Sequence, residues 1–239
     1  MLQGGRIDVT DITARSREAA WSQYYYPVNS VSARMDVTHD SFELEAPAGT
    51  DIWKKPPSTD VWNAPITRAS SGLLQKFQSA RVTFWADWTE RYDQAGLLLA
   101  LQRTSSTTSP SPVEKWVKTG IEFYNGKPHL STVGCDRWAD WSILPLTEGK
   151  TEKGVTLEVV RESDENGKSA WIYQVILDGA GNVKEKLPLR EICWIFADED
   201  EKGGEEWVLD VSPLVARPEK SAKESLKARF DEFEVKWLV

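Results

Sequence analysis

Apolar and polar residues alternate through most of this chain from about residue 40 onward. A repeat of two is the signature of strands with one buried face. In VTFWADW (82–88), Val82, Phe84, Ala86 and Trp88 share one side, and Thr83, Trp85 and Asp87 the other. VTLEVV (155–160) aligns Val155, Leu157 and Val159, and FDEFEVKWL (230–238) sets Phe233, Val235 and Trp237 against Glu232, Glu234 and Lys236. Turn chemistry separates these runs. Asn125-Gly126 in EFYNGKPHL is a strong hairpin signal, because a type I′ turn needs positive φ at both central residues. ESDENGKSA (162–170) and LDGAGNV (177–183) read as further connections. Helical signal is thin: residues 14–21 form at most a short turn, and EKSAKESLKA (219–228) one or two. The polar stretch TSSTTSPSP (104–112) is a loop rather than an interdomain linker.

These runs predict an all-β, two-sheet antiparallel sandwich or jelly roll of roughly a dozen strands. One domain covers residues 1–239, with residues 1–20 a loosely packed N-terminal segment. A hydrophobic content of 40% is enough for a sizeable core. The expected core comprises Val82, Phe84, Leu97, Leu99, Val117, Ile121, Phe123, Val159 and Val235.

A formal net charge of −8 argues against a nucleic-acid partner and against docking on anionic membranes. No apolar run reaches the length of a membrane span, and the first twenty residues carry no apolar secretory segment. Cys135 and Cys193 lie in apolar or aromatic contexts and are expected to be reduced and buried, which favours a cytoplasmic location. In the acidic run 197–206, Asp198 and Asp200 are candidate calcium ligands, with a solvated loop the favoured reading. With two histidines, His39 and His129, a multi-histidine metal site is not expected, and no cofactor is implied. The signatures HExxH, Walker A, GxGxxG and GxSxG are absent.

Candidate site residues come from strand faces. In KWVKTGIEF (115–123), Val117, Thr119, Ile121 and Phe123 share the apolar face. Trp116, Lys118, Gly120, Glu122 and Tyr124 share the other, and His129 follows the hairpin. In RYDQAGLLLAL (91–101), Leu97, Leu99 and Leu101 lie opposite Gln94, Gly96, Leu98 and Ala100. A strand apolar on both faces is covered on both. If it neighbours 115–123, Gln94 and Glu122 line one groove, with Gly96 a gap in its floor and Trp85 a possible further wall. Asp93 is expected to cap the turn or meet a basic residue. The twelve tryptophans exceed what a core alone requires, which leaves some for a ligand surface.

The motifs TDIWKKP (50–56), YDQAGLLL (92–99), KWVKTGIEF (115–123), ADWS (139–142) and ARFDEFEV (228–235) resemble DUF1349, in that order over most of residues 20–239. This is a concanavalin A-like β-sandwich family that includes fungal proteins labelled "regulation of enolase". More distantly, the chain is similar to the C-terminal sandwich of family 43 β-xylosidases, without the propeller that carries catalysis there. The segment PPSTDVWNAPI after TDIW departs from the bacterial DUF1349 pattern. The resemblance implies a sandwich whose concave face binds something, often a sugar in related folds.

Three functions stay open. The first is binding of a carbohydrate or similar polar metabolite by Trp85, Asp93, Gln94, Trp116, Lys118, Glu122, His129 and Trp141. The second is an enzyme in the same groove, with acid–base chemistry by Glu122, Asp93, His129 or Lys118. The third is a protein partner, as a regulator of a metabolic enzyme.

Overall fold

The computed structural model describes residues 37–39, 41–67, 69–104, 112–146, 154–199 and 206–238. The expectations for residues 1–20, for the turn at 14–21, for Asp200 and for most of 104–112 lie outside these residues.

Each run of alternation becomes a strand, although Asp87, Trp88 and Leu238 fall just past strand ends. The first strands are β1 (Val37–His39), β2 (Phe42–Ala46), β3 (Ile52–Lys55), β4 (Thr59–Trp62) and β5 (Ser70–Leu73). A 3₁₀ turn (Leu74–Lys76) leads into β6 (Phe77–Ala86), β7 (Gln94–Arg103), β8 (Lys115–Tyr124), β9 (Lys127–Cys135) and β10 (Ala139–Pro145). The remainder are β11 (Val155–Asp164), β12 (Gly167–Leu177), β13 (Val183–Ile192), β14 (Trp207–Ala216) and β15 (Leu226–Trp237).

They form a jelly-roll β-sandwich of two large antiparallel sheets. One sheet runs β1-β15-β6-β11-β12-β13, with β2 also on β15. The other runs β10-β9-β8-β7-β14-β5, and the hairpin β3–β4 stands apart as a third, small sheet. Asn125 (φ 50) and Gly126 (φ 72) supply the left-handed pair that closes β8 onto β9.

The main core lies between the sheets. Phe77, Val82 and Phe84 of β6, Val155, Leu157 and Val159 of β11, and Phe230, Phe233 and Val235 of β15 meet Leu97, Leu99, Val117, Ile121 and Val211. Each fully buried aliphatic or aromatic side chain contributes about 1.5–3 kcal/mol relative to exposure. The left-handed Glu232 (φ 55), at a break in register between Asp231 and Glu234, lets Phe230 and Phe233 both face inward.

A second apolar cluster covers the far side of the six-stranded sheet. Leu98, Ala100, Trp116, Val133, Cys135, Leu214 and Ala216 pack with Ile52 and Ala64, and Trp53 and Trp62 close over them. This explains why β7 is apolar on both faces. It is a central strand with the sandwich core beneath it and the β3–β4 hairpin above.

Three expectations are corrected. Residues 219–228 form turns and the start of β15 rather than a helix. Pro218 precedes them, and from Leu226 the period-two set Leu226, Ala228, Phe230 is held by pairing with β2 and β6. Phe123 is half-buried rather than core, because it lies one residue from the end of β8, where its backbone bonds the Tyr92–Asp93 turn. Both cysteines are free, but only Cys135 is buried, and Cys193 is exposed. No helix among the described residues is long and apolar enough to cross a membrane.

Candidate functional site

Strand register brings the site together on the outer face of the six-stranded sheet. Gln94 lies directly across from Glu122, Gly96 from Gly120, and Leu98 from Lys118. On the far side of β8, Glu122 faces His129 and Gly120 faces Ser131. The two glycines allow the backbones to close up. A Cβ at Gly120 would sit 1.9 Å from the Ala95 carbonyl oxygen, and one at Gly96 2.1 Å from that of Thr119. Between the Gln94–Glu122 pair and the Leu98–Lys118 pair, the sheet therefore presents bare backbone.

The loop before β3 supplies the missing anion. Asp51 is fixed by its own main chain, whose N–H donates to Asn63 Oδ1 at 2.7 Å and whose carbonyl accepts from Asn63 N at 3.0 Å. Its carboxylate Oδ1 accepts from Ile52 N (2.8 Å), Gln94 Nε2 (3.1 Å) and Lys118 Nζ (3.2 Å). Lys118 also donates to Gln94 Oε1 at 2.7 Å. Its ammonium lies 5.7 Å from the Trp53 ring centre and 5.8 Å from that of Trp116. A buried ammonium needs such partners.

Glu122 belongs to a second branch. Ser131 Oγ donates to Glu122 Oε2 at 2.9 Å, and Trp141 Nε1 donates to Ser131 Oγ at 2.9 Å. Burial pushes the Glu122 carboxyl above its ordinary value of 4.5. The Lys118 ammonium and the Ser131 bond pull it back only in part, and the Asp51 charge adds to the rise.

A cavity of about 340 Å³ opens over these groups, lined by Asp51, Trp53, Tyr92, Gln94, Lys118, Glu122, Trp141 and Pro218. Its aromatic walls stand nearly edge to face. Trp53 and Trp141 are 6.4 Å apart at 90°, and Tyr92 and Trp141 6.2 Å apart at 71°. Tyr92 adopts φ 68, uncommon for a bulky residue, and its ring stacks on Tyr124 at 5.8 Å.

Four of the eight residues expected from sequence therefore line one cavity: Gln94, Lys118, Glu122 and Trp141. The other four do not. Asp93 is fully buried in a two-pronged ion pair with Arg217, at 2.8 Å (Oδ1–Nε) and 2.7 Å (Oδ2–Nη2). It also accepts from the backbone N–H groups of Thr89 and Glu90, so it is both turn cap and salt-bridge partner. Trp116 is buried against Trp62 under the hairpin. His129 lies beside the cavity, edge-on to Tyr124, with Nδ1 2.9 Å from the Lys127 carbonyl. Trp85 is on β6 of the opposite sheet, against Trp88. Adjacency in the chain did not put β6 beside β7, because the chain crosses between sheets there.

The family model for a protein of unknown function, DUF1349, matches residues 29–237. The chain belongs to the DUF1349 family. An uncharacterized protein from Emericella nidulans is 50% identical over 165 residues, covering 69% of this chain and 74% of that one. A functionally unknown protein from Saccharomyces cerevisiae has a similar structure (TM-score 0.58, 18% identity, 86% of this chain and 97% of that one) and shows the same fold. A weaker likeness, to the GH43 protein BlXynB from Bacillus licheniformis, has a TM-score of 0.43 at 17% identity, covers 67% of this chain and 28% of that one, and carries no argument.

Asp51, Trp53 and Tyr92 line the cavity although strand alternation did not nominate them. Asp51 and Trp53 stand inside the DUF1349 motif TDIWKKP, and Tyr92 opens YDQAG. Motif membership was the available signal. Alternation within β7 and β8 could not show that a hairpin forty residues upstream folds across them. Of the two candidate calcium ligands, Asp198 accepts from Lys115 Nζ at 2.5 Å.

Proposed function

We propose that this DUF1349 protein binds a carbohydrate or similarly polyhydroxylated small molecule in the cavity over β7 and β8. One observation carries the reading: ionised and amide groups held in fixed positions keep unused hydrogen-bonding capacity beneath aromatic walls. Lys118 spends two of its three N–H donors on Asp51 and Gln94. The Asp51 hydrogen bonds all go to Oδ1, leaving Oδ2 unengaged among the described residues. Carboxylates and amides match hydroxyl groups, and aromatic faces match the apolar side of a sugar ring. The volume fits one small ligand. The test is a thermal-shift screen against mono- and disaccharides, since a ligand that binds the folded state raises the melting temperature. A panel with no stabilising member removes the reading.

A second reading, acid–base catalysis on such a ligand, draws on the raised Glu122 carboxyl, which favours a proton donor. Its second carboxylate is Asp51, since Asp93 is consumed by Arg217. Product formation from a stabilising sugar, lost in Glu122→Gln, separates catalysis from binding.

A further inference from the structure

The ionised groups at the cavity do not balance. Asp51 and Lys118 form a direct pair at 3.2 Å, which leaves Glu122 as the carboxylate without a bonded cation. Its hydrogen-bond partners among the described residues are neutral donors, Ser131 and Trp141. Three aromatic rings, Trp53, Tyr92 and Trp141, line the same space at steep mutual angles. Rings around one acidic group are the arrangement that holds an ammonium, because each ring face is electron-rich.

The chain's own cations already use these rings. The Arg91 guanidinium lies 4.5 Å from the Tyr92 ring centre and 5.2 Å from that of Tyr124, and the Lys118 ammonium 5.7 Å from that of Trp53. Arg91 is exposed, so solvent and salt screen its repulsion of an incoming cation. Lys118 is the opposing charge, offset by Asp51. An anionic ligand would meet both Asp51 and Glu122, two carboxylates against one ammonium. Burial, which the nearby Lys118 ammonium offsets only in part, also raises the Glu122 carboxyl, a cost that a ligand cation would relieve.

We infer that the cavity selects a ligand carrying a positively charged nitrogen, an amino sugar within the polyhydroxylated class, with its ammonium held between Glu122 and the rings of Trp53, Tyr92 and Trp141. This rests on the binding reading above and narrows it.

Titration calorimetry of the full chain with D-glucosamine, D-glucose and D-glucuronate, at one pH and low salt, tests it. The expected order is glucosamine first, tighter than glucose by about tenfold, with glucuronate weakest. Glu122→Gln keeps the shape of the side chain and should weaken glucosamine more than glucose, so that the glucosamine advantage disappears. Equal binding of glucosamine and glucose overturns this inference and leaves sugar binding standing, as does tightest binding of glucuronate. A glucosamine advantage that survives in Glu122→Gln also overturns it. If none of the three sugars binds, the inference falls, and the binding reading beneath it is decided separately by the wider saccharide panel.

Discussion

Asp93 and Gln94 are neighbours in the chain, yet they enter polar clusters of opposite character. Asp93 faces Arg217, which also donates to Thr89 Oγ1 at 2.8 Å and to the Glu224 carbonyl at 2.8 Å, while its backbone meets Thr50 and Gly49. Asp93 has no exposure and Arg217 has 4%. Every charged group there is answered by protein, and the cluster ties the 89–93 turn, the end of β14 and the approach to β15 together. One residue on, Gln94 joins Asp51, Lys118 and Glu122 around an open space, where donors and acceptors are left over. A closed polar cluster specifies a fold, and an open one has something left to offer a ligand.

Breaking the closed cluster should have the largest effect. Asp93→Ala leaves the Arg217 guanidinium buried without its counter-charge, a loss of about 3–5 kcal/mol. Thiol labelling reads the outcome: Cys193 reacts in the folded state, while Cys135, whose thiol burial pushes up to about 11, reacts only on opening. Faster Cys135 labelling in Asp93→Ala is expected. Unchanged labelling and melting would show that the ion pair is dispensable.

Lys118→Met comes next. It removes the ammonium between Asp51 and Gln94 and keeps the apolar stem against Trp53 and Trp116, so the loss is one charge-assisted bond set, about 1.5–3 kcal/mol in chemical denaturation. A loss equal to that of Asp93→Ala would mean that the open cluster is as structural as the closed one.

Gln94→Ala should weaken sugar binding by about 0.5–1.5 kcal/mol with a smaller change in melting than either variant above. Calorimetry showing full affinity would remove Gln94 from the ligand's contacts.

The smallest effect is a pH slope. With the Glu122 carboxyl raised in the folded state, folding favours its protonated form, so its contribution to stability falls as pH rises from about 4.5 through the raised value. Glu122→Gln lacks this slope and should gain on the wild type across that window. Parallel pH–stability curves would refute the incompletely compensated burial of Glu122.

The sheet architecture was legible because alternation reports burial on one face directly, and the faces of β7 and β8 could be assigned residue by residue. That Gln94 and Glu122 line one groove followed from one assumption, that successive strands pair, and the register that sets them directly opposite is seen only in the structure. The same assumption failed for Trp85, because β6 and β7 belong to different sheets. Trp116 shares a face with Lys118, but the face is divided along its length: the β3–β4 hairpin covers one end and leaves the other open. No local pattern encodes where a distant hairpin lands, so Asp51, which anchors the cation, could not be derived from alternation.

The most direct test compares the two clusters under one readout. Wild type, Asp93→Asn and Glu122→Gln are melted with and without each member of the saccharide panel. Asp93→Asn should melt well below wild type but be stabilised by the same sugars. Glu122→Gln should melt near wild type and lose much of that response. A Glu122→Gln protein that responds like wild type, or an Asp93→Asn protein that stays folded yet responds to none of those sugars, would contradict the division between a closed structural cluster and an open binding one.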